Sequence, residues 1–490
     1  MKIIMIEQLS KINKIYDLLA LCASYIFNEY KKIPYQFSLF NDDEFDCVYE
    51  AIERYCTETK DGGHKKAFDE LREYLIFYMG EEVTVEKCFA VVKYIDELIE
   101  VKVNDKLSGG GNVIKYTSLN KQYNDCVRII PKSQETILER ADIYFRKNTA
   151  DKYSLLRKKR DCPCSPLDVE TLYYMIWDKK HIEAYPDMCI YHLDEKHPIT
   201  KHFQQKEELV FGIIPFTNKR TEELLEVKYR ERTFYIEQMF RCAEEELRLR
   251  YKKAYLKCKE NDIDFLIFPE MLITNDIISS IQERSEIESP WIVINGSIWK
   301  NNVNKTIVTD SNGTEIFNYC KKEPFTPEIN QVQYTEWLDQ RQNKEYSIME
   351  IEGLGRIGIG ICKDLINEEI KMFHRYIGTN ILLVPAYTSS MDLQGGAEEL
   401  SQEYNCIVVV ANACSALEEN KENQLERRLG FITMPAKKGT DRTKIVIRYN
   451  QNKCTENCQK GCSGKKFRIN FYETKKYNEG ISYKVEEEPF

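Results

Sequence analysis

Gly358-Ile359-Gly360-Ile361-Cys362-Lys363-Asp364 is an apolar run that ends in a single cysteine followed at once by a polar turn. Short apolar runs bounded by turn signals read as buried strands, so Cys362 is presented as a nucleophile at a strand end. Two runs upstream stop on reactive side chains in the same way. Leu266-Ile267-Phe268-Pro269-Glu270 ends on a carboxylate, and Ile316-Phe317-Asn318-Tyr319-Cys320-Lys321 ends on a lysine. A thiolate attacks acyl carbon, a carboxylate shuttles its proton, and a fixed ammonium with a backbone N–H stabilises the oxyanion. Glu270, Lys321, Cys362 and the N–H of Lys363 thus make a set for amide-bond chemistry.

Working outward, further buried-strand candidates are Leu209–Pro215, Trp291–Asn295, Thr306–Val308, Ile381–Pro385 and Cys406–Ala411. A long charged pattern from about Glu222 to Glu260 reads as one helix. Strands joined by helical segments indicate a layered α/β fold. The motifs Phe268-Pro269-Glu270, Tyr319-Cys320-Lys321 and Gly360-Ile361-Cys362-Lys363-Asp364 come in order, with Asn295-Gly296-Ser297, Asn304-Lys305-Thr306, Asp310-Ser311-Asn312-Gly313 and Val384-Pro385-Ala386 between or after them. On these residues the block from about 207 to 440 resembles the carbon–nitrogen hydrolase (nitrilase) superfamily.

That resemblance implies an α-β-β-α sandwich, subunits that pair into a homodimer or larger homo-oligomer, and a Glu-Lys-Cys triad acting through a thioester with no metal or cofactor. It also implies a second glutamate between Lys and Cys. Glu336 stands at a fitting separation, with Glu328 and Glu323 as rivals, and Lys322 is a rival to Lys321. Lys363-Asp364 after the cysteine favours an amide or carbamoyl substrate over a nitrile. The resemblance leaves open an acyltransferase using the same triad. It also leaves open a catalytically silent or partner-activated scaffold or sensor in a multi-protein bacterial defence or stress system.

The first ~200 residues lie outside the resemblance. Apolar residues recur at helical spacing at Ile12, Ile15, Tyr16 and Leu19, at Leu71, Tyr74, Leu75 and Tyr78, and from Val91 to Ile99. Ser108-Gly109-Gly110-Gly111-Asn112 breaks the pattern, and a helix is expected from Leu167 through Trp177. The expected organisation is a mainly α-helical region over 1–204, offering a possible contact for a protein partner, and a hydrolase domain over 205–490 with a Cys-rich C-terminal segment.

The 490 residues carry a formal charge of −9, which gives no overall pull toward nucleic acid, and Arg157-Lys158-Lys159-Arg160 reads as a solvated face. No run is long enough to span a bilayer. Charged residues interrupt the N-terminal apolar stretch, so it reads as an amphipathic helix rather than an export signal, and the expected compartment is the cytoplasm. There the 17 cysteines are expected as thiols. Cys454, Cys458 and Cys462, and Cys162, Cys164 and Cys189 with His192, His197 and His202, are irregularly spaced for zinc and read as packing or surface groups.

Overall fold

The computed structural model describes residues 183–204 and 206–435 with short gaps, strands near the C-terminus, and the N-terminal helices and strands named below. Gly109–Gly111, Arg157–Arg160, Cys162, Cys164, Cys454, Cys458 and Cys462 lie outside the described residues. The chain forms two compact units. One comprises Met1–Ser108, Tyr116–Gln134 and Ala150–Pro186, and the other is chiefly Asp187–Phe490.

In the first unit the helices Ile15–Lys32, Asp42–Tyr55, Gly63–Tyr78 and Val85–Leu98 follow the 3.6-residue apolar period. They bury Ile15, Leu19, Ile52, Leu71, Leu75 and Ile95 in one core. No described helix is long and apolar enough to cross a membrane. The helix expected through Trp177 is corrected: Tyr174–Asp178 is a strand, antiparallel to Val127–Pro131. Tyr-Met-Ile-Trp-Asp is aromatic and β-branched, and its Trp177 is fully buried opposite Arg128.

The second unit is mixed α/β, with two large sheets. One runs, in spatial order, through Val113–Tyr116, Met188–Leu193, Tyr346–Ile351, Gly355–Ile359, Ile381–Ala386, Ile407–Asn412, Arg428–Thr433 and Lys444–Arg448. The other runs through Ile298–Lys300, Val303–Asp310, Ile292–Ile294, Phe265–Ile267, Glu208–Ile213, Lys465–Glu473 and Ile481–Pro489, with Glu315–Cys320 paired to Val303–Asp310. The inner strands of both are parallel and apolar almost throughout, as buried parallel strands must be.

Side chains alternate along these strands. Phe211, Ile213, Phe265 and Ile267 share one core with Ile357, Ile359, Leu383 and Val409 of the other sheet. Their neighbours Val210, Leu266 and Val293 point the opposite way, onto Leu247, Tyr251 and Tyr255 of the helix Arg241–Glu260. Each such side chain removed from water contributes roughly 1.5–3 kcal/mol, so the sheet ends are anchored by rigid layers.

The single helix expected over 222–260 is also corrected. Leu225–Arg230 and Thr233–Met239 form an antiparallel hairpin before the helix begins at Arg241. Thr233-Phe234-Tyr235-Ile236 suits a pleated strand, and Phe234 and Ile236 face inward while Glu237 and Gln238 face water. Past Cys362, Asn367 caps the helix Glu368–Ile377 by accepting the Ile370 N–H at 3.1 Å, and Gly378 ends it at φ 66°.

Candidate active site

The strand Phe265–Ile267 delivers Glu270 three residues beyond its end, where the Glu270 N–H meets the Ala386 carbonyl of the other sheet at 3.3 Å. The turn is crowded: Gly296 sits at φ 57°, and a Cβ there would lie 2.0 Å from the Pro269 oxygen. Only glycine therefore lets the two strand ends approach. Lys321 follows the strand Glu315–Cys320, its N–H donating to the Asn304 carbonyl at 2.8 Å. Cys362 opens a one-turn 3-10 helix, Cys362–Ile366, and holds φ at 48°. A side chain in that left-handed region costs of order 1–2 kcal/mol and persists where the surroundings fix it.

Part of that fixing comes from Asp364. Its carboxylate accepts the Ile361 N–H at 2.9 Å and the N–H groups of Lys322 and Glu323 at 3.1 and 2.8 Å. One fully buried carboxylate thus ties the cysteine's turn to the segment after Lys321. Glu336 arrives on a two-residue strand, Thr335–Glu336, parallel to the start of Thr233–Met239. The Trp337 N–H donates to the Phe234 carbonyl at 2.9 Å, so the unexpected hairpin holds Glu336 in place.

The four side chains expected from sequence are all buried, and three of them meet directly. The Lys321 ammonium donates to Glu270 Oε1 at 2.8 Å and to Glu336 Oε2 at 2.7 Å. Cys362 lies within electrostatic reach of Glu270, Lys321 and Glu336, and the Tyr387 backbone N–H favours its ionised form. Asn304, noted in the sequence only as part of Asn304-Lys305-Thr306, joins them. Its Nδ2 donates to Glu270 Oε1 at 2.8 Å and Glu336 Oε1 at 3.1 Å. A fifth bond, from the Phe325 N–H at 2.8 Å, completes the cradle of Glu336.

Burial raises the Glu270 carboxyl above its ordinary value, aided by the neighbouring Glu336 and opposed by Lys321. Burial alone would push Lys321 down, but the charges of Glu270, Glu336 and Cys362 hold it well above the usual lysine range. Burial and the Glu270 charge push the Cys362 thiol up, against the pull of Lys321. The resting centre therefore stores its proton on sulfur beside a carboxylate of raised affinity.

The rivals go elsewhere. Lys322 donates to the Glu345 carbonyl at 2.8 Å and lies 4.3 Å from the centre of the Tyr346 ring, and burial lowers its pKa. Glu323 accepts from Asn367 Nδ2 at 2.6 Å, and Glu328 is exposed. His192 and His202, which follow Cys189 in sequence, have separate partners: His192 meets Glu350 at 3.0 Å, and His202 meets Asp264 at 2.6 Å while stacking on Trp291. His374 is buried on the helix after the cysteine, its Nδ1 3.1 Å from the Thr379 hydroxyl.

No protein-family model and no curated protein sequence matches the chain. Solved structures do match over about half of it. Nit3 from Saccharomyces cerevisiae, a member of branch 10 of the nitrilase superfamily, is 12% identical over 52% of this chain and 95% of its own, with a TM-score of 0.32. An amidase of that superfamily from Nesterenkonia is 11% identical over 51% of this chain and 93% of its own, with a TM-score of 0.30. Both of these solved proteins belong to the nitrilase superfamily.

Proposed function

We propose that the nitrilase-like unit hydrolyses a non-peptide carbon–nitrogen bond, in an amide or carbamoyl substrate, through a thioester on Cys362. The observation that supports it most directly is the single ammonium of Lys321 clamped between Glu270 and Glu336 in a centre that also reaches a buried, left-handed cysteine. Two sheets with one shared core and a helix behind the Glu270 sheet support the α-β-β-α reading.

In this scheme Glu270 takes the thiol proton as sulfur bonds to the substrate carbonyl carbon. The carbonyl oxygen gains the electron pair and is stabilised by the Lys321 ammonium and the Lys363 N–H. Collapse of the adduct breaks the C–N bond, and Glu270 returns its proton to the departing nitrogen. Glu270 then takes a proton from water, whose oxygen attacks the thioester, and passes it to the departing sulfur, leaving a carboxylic acid or, from a carbamoyl substrate, a carbamic acid. Glu336 contributes by holding Lys321 rather than by touching the reacting atoms. Asp364 positions the cysteine turn.

Intact-mass measurement of iodoacetamide labelling near neutral pH, with digestion to locate the label, tests this reading. Wild type should label fastest at Cys362, Cys362→Ala should lose that fast phase, and Glu270→Gln should slow it. Should Cys362 label no faster than the other thiols, the scaffold reading would displace the hydrolase.

A further inference from the structure

Asn304 is fully buried, and its two ends are treated differently. Nδ2 donates to both carboxylates of the centre, at 2.8 Å to Glu270 and 3.1 Å to Glu336. The reverse orientation would set the amide oxygen against two carboxylate oxygens, so the contacts fix which end is which. Oδ1 is consequently turned away from the carboxylates, is shielded from bulk water, and has no donor among the described residues. A buried acceptor without a donor is costly, and each one calls for an explanation such as a catalytic role or a bound group.

We propose that Asn304 Oδ1 accepts a hydrogen bond from the N–H of the substrate's carboxamide or ureido nitrogen. This rests on the hydrolase reading and deepens it. The acceptor belongs to the same planar amide whose nitrogen grips Glu270 Oε1. That one amide group would link the bound nitrogen to the carboxylate that protonates it when the C–N bond breaks. Lys321 cannot serve that role, because an ammonium carries donors only. The site therefore selects substrates with at least one N–H on the leaving nitrogen, and a fully N,N-dialkylated amide leaves Oδ1 unpaired.

The experiment compares two reagents on the full chain, 2-iodoacetamide and N,N-dimethyl-2-iodoacetamide. The rate of each at Cys362 is divided by its rate with N-acetylcysteine to remove intrinsic reactivity. Wild type should favour the N–H-bearing reagent about tenfold, the discrimination expected of one hydrogen bond. Asn304→Ala and Asn304→Ser should bring the ratio toward one, whereas a purely structural residue would slow both reagents together and leave the ratio intact. A wild-type ratio near one overturns the proposal without any variant, even where rapid labelling keeps the hydrolase reading alive. A ratio unchanged in folded Asn304 variants overturns it too. Slow labelling at Cys362 with both reagents removes the reading beneath it.

Discussion

Two buried ionic clusters in the second unit face the same desolvation penalty and answer it in opposite ways. Glu350 lies between the Arg356 guanidinium at 2.8 Å and the His192 ring at 3.0 Å, and these partners outweigh burial to hold its carboxyl below the usual value. Glu270 shares one ammonium with Glu336, and burial wins, raising it. The first carboxylate is locked as an anion and serves structure. The second is the group that gains and loses a proton in the proposed reaction. The balance of partners, rather than burial itself, separates a structural ion pair from a centre that can shuttle protons.

The strongest way to break this contrast is to remove the cation from each cluster. Lys321→Met and Arg356→Met each leave buried carboxylate charge, and each should cost about 3–5 kcal/mol in urea unfolding. Only Lys321→Met should also slow Cys362 labelling or turnover, by ~10²–10³-fold. Were Arg356→Met to slow the folded protein equally, the distinction would fail.

The pH profile probes the same point. Glu270 must be ionised to accept the thiol proton, and its pKa is raised, so labelling should fall with acid along a limb above the ordinary carboxylate value of about 4.3. Glu270→Gln should erase that limb. A limb at or below the ordinary value would sink the assignment of Glu270 as base.

His374 supplies a smaller test, because burial pushes its pKa down to about 3 with no charged group opposing. Its folded form is neutral, while the unfolded ring protonates below 6.5. Stability is therefore complete above the unfolded value and erodes as pH falls from there toward the folded one, by about 2 kcal/mol at pH 5. His374→Gln lacks this loss, so its stability deficit against wild type should shrink between pH 7.5 and 5. A constant deficit would remove His374 from the account. The smallest effect concerns backbone strain: Cys362→Gly should be more stable than Cys362→Ala by about 1 kcal/mol, since glycine tolerates the left-handed turn. Equal midpoints would mean that the φ of 48° carries no cost.

The strands and their reactive ends were legible because buried parallel strands are written as unbroken apolar runs. Leu266–Phe268 and Ile357–Ile361 have no other economical reading. The hairpin at 225–239 was not legible, since Glu226, Lys228, Arg230 and Glu237 stand at spacings that also suit a solvated helix face. Its identity depends on a partner a hundred residues away, the short strand of Glu336. Glu336 itself could be reached only by its place between Lys321 and Cys362, because nothing near it in sequence marks it. Nothing in Asn304-Lys305-Thr306 marks Asn304 as a site residue. What distinguishes it is which way its amide points, and only its neighbours in space determine that.

The strand Lys465–Glu473 pairs with Glu208–Ile213, which in turn pairs with the strand that delivers Glu270. During synthesis Glu270, Lys321 and Cys362 are all made before that cover strand. At 5–20 residues per second, the roughly 200 residues from Glu270 to Glu473 take ten seconds or more. Throughout that interval Glu208–Ile213 has an open edge on one side, a template for any passing strand. The nascent chain thus carries Glu270 and Lys321 before it can seal the sheet that aims them. Chains cut short between the two should expose that edge and aggregate.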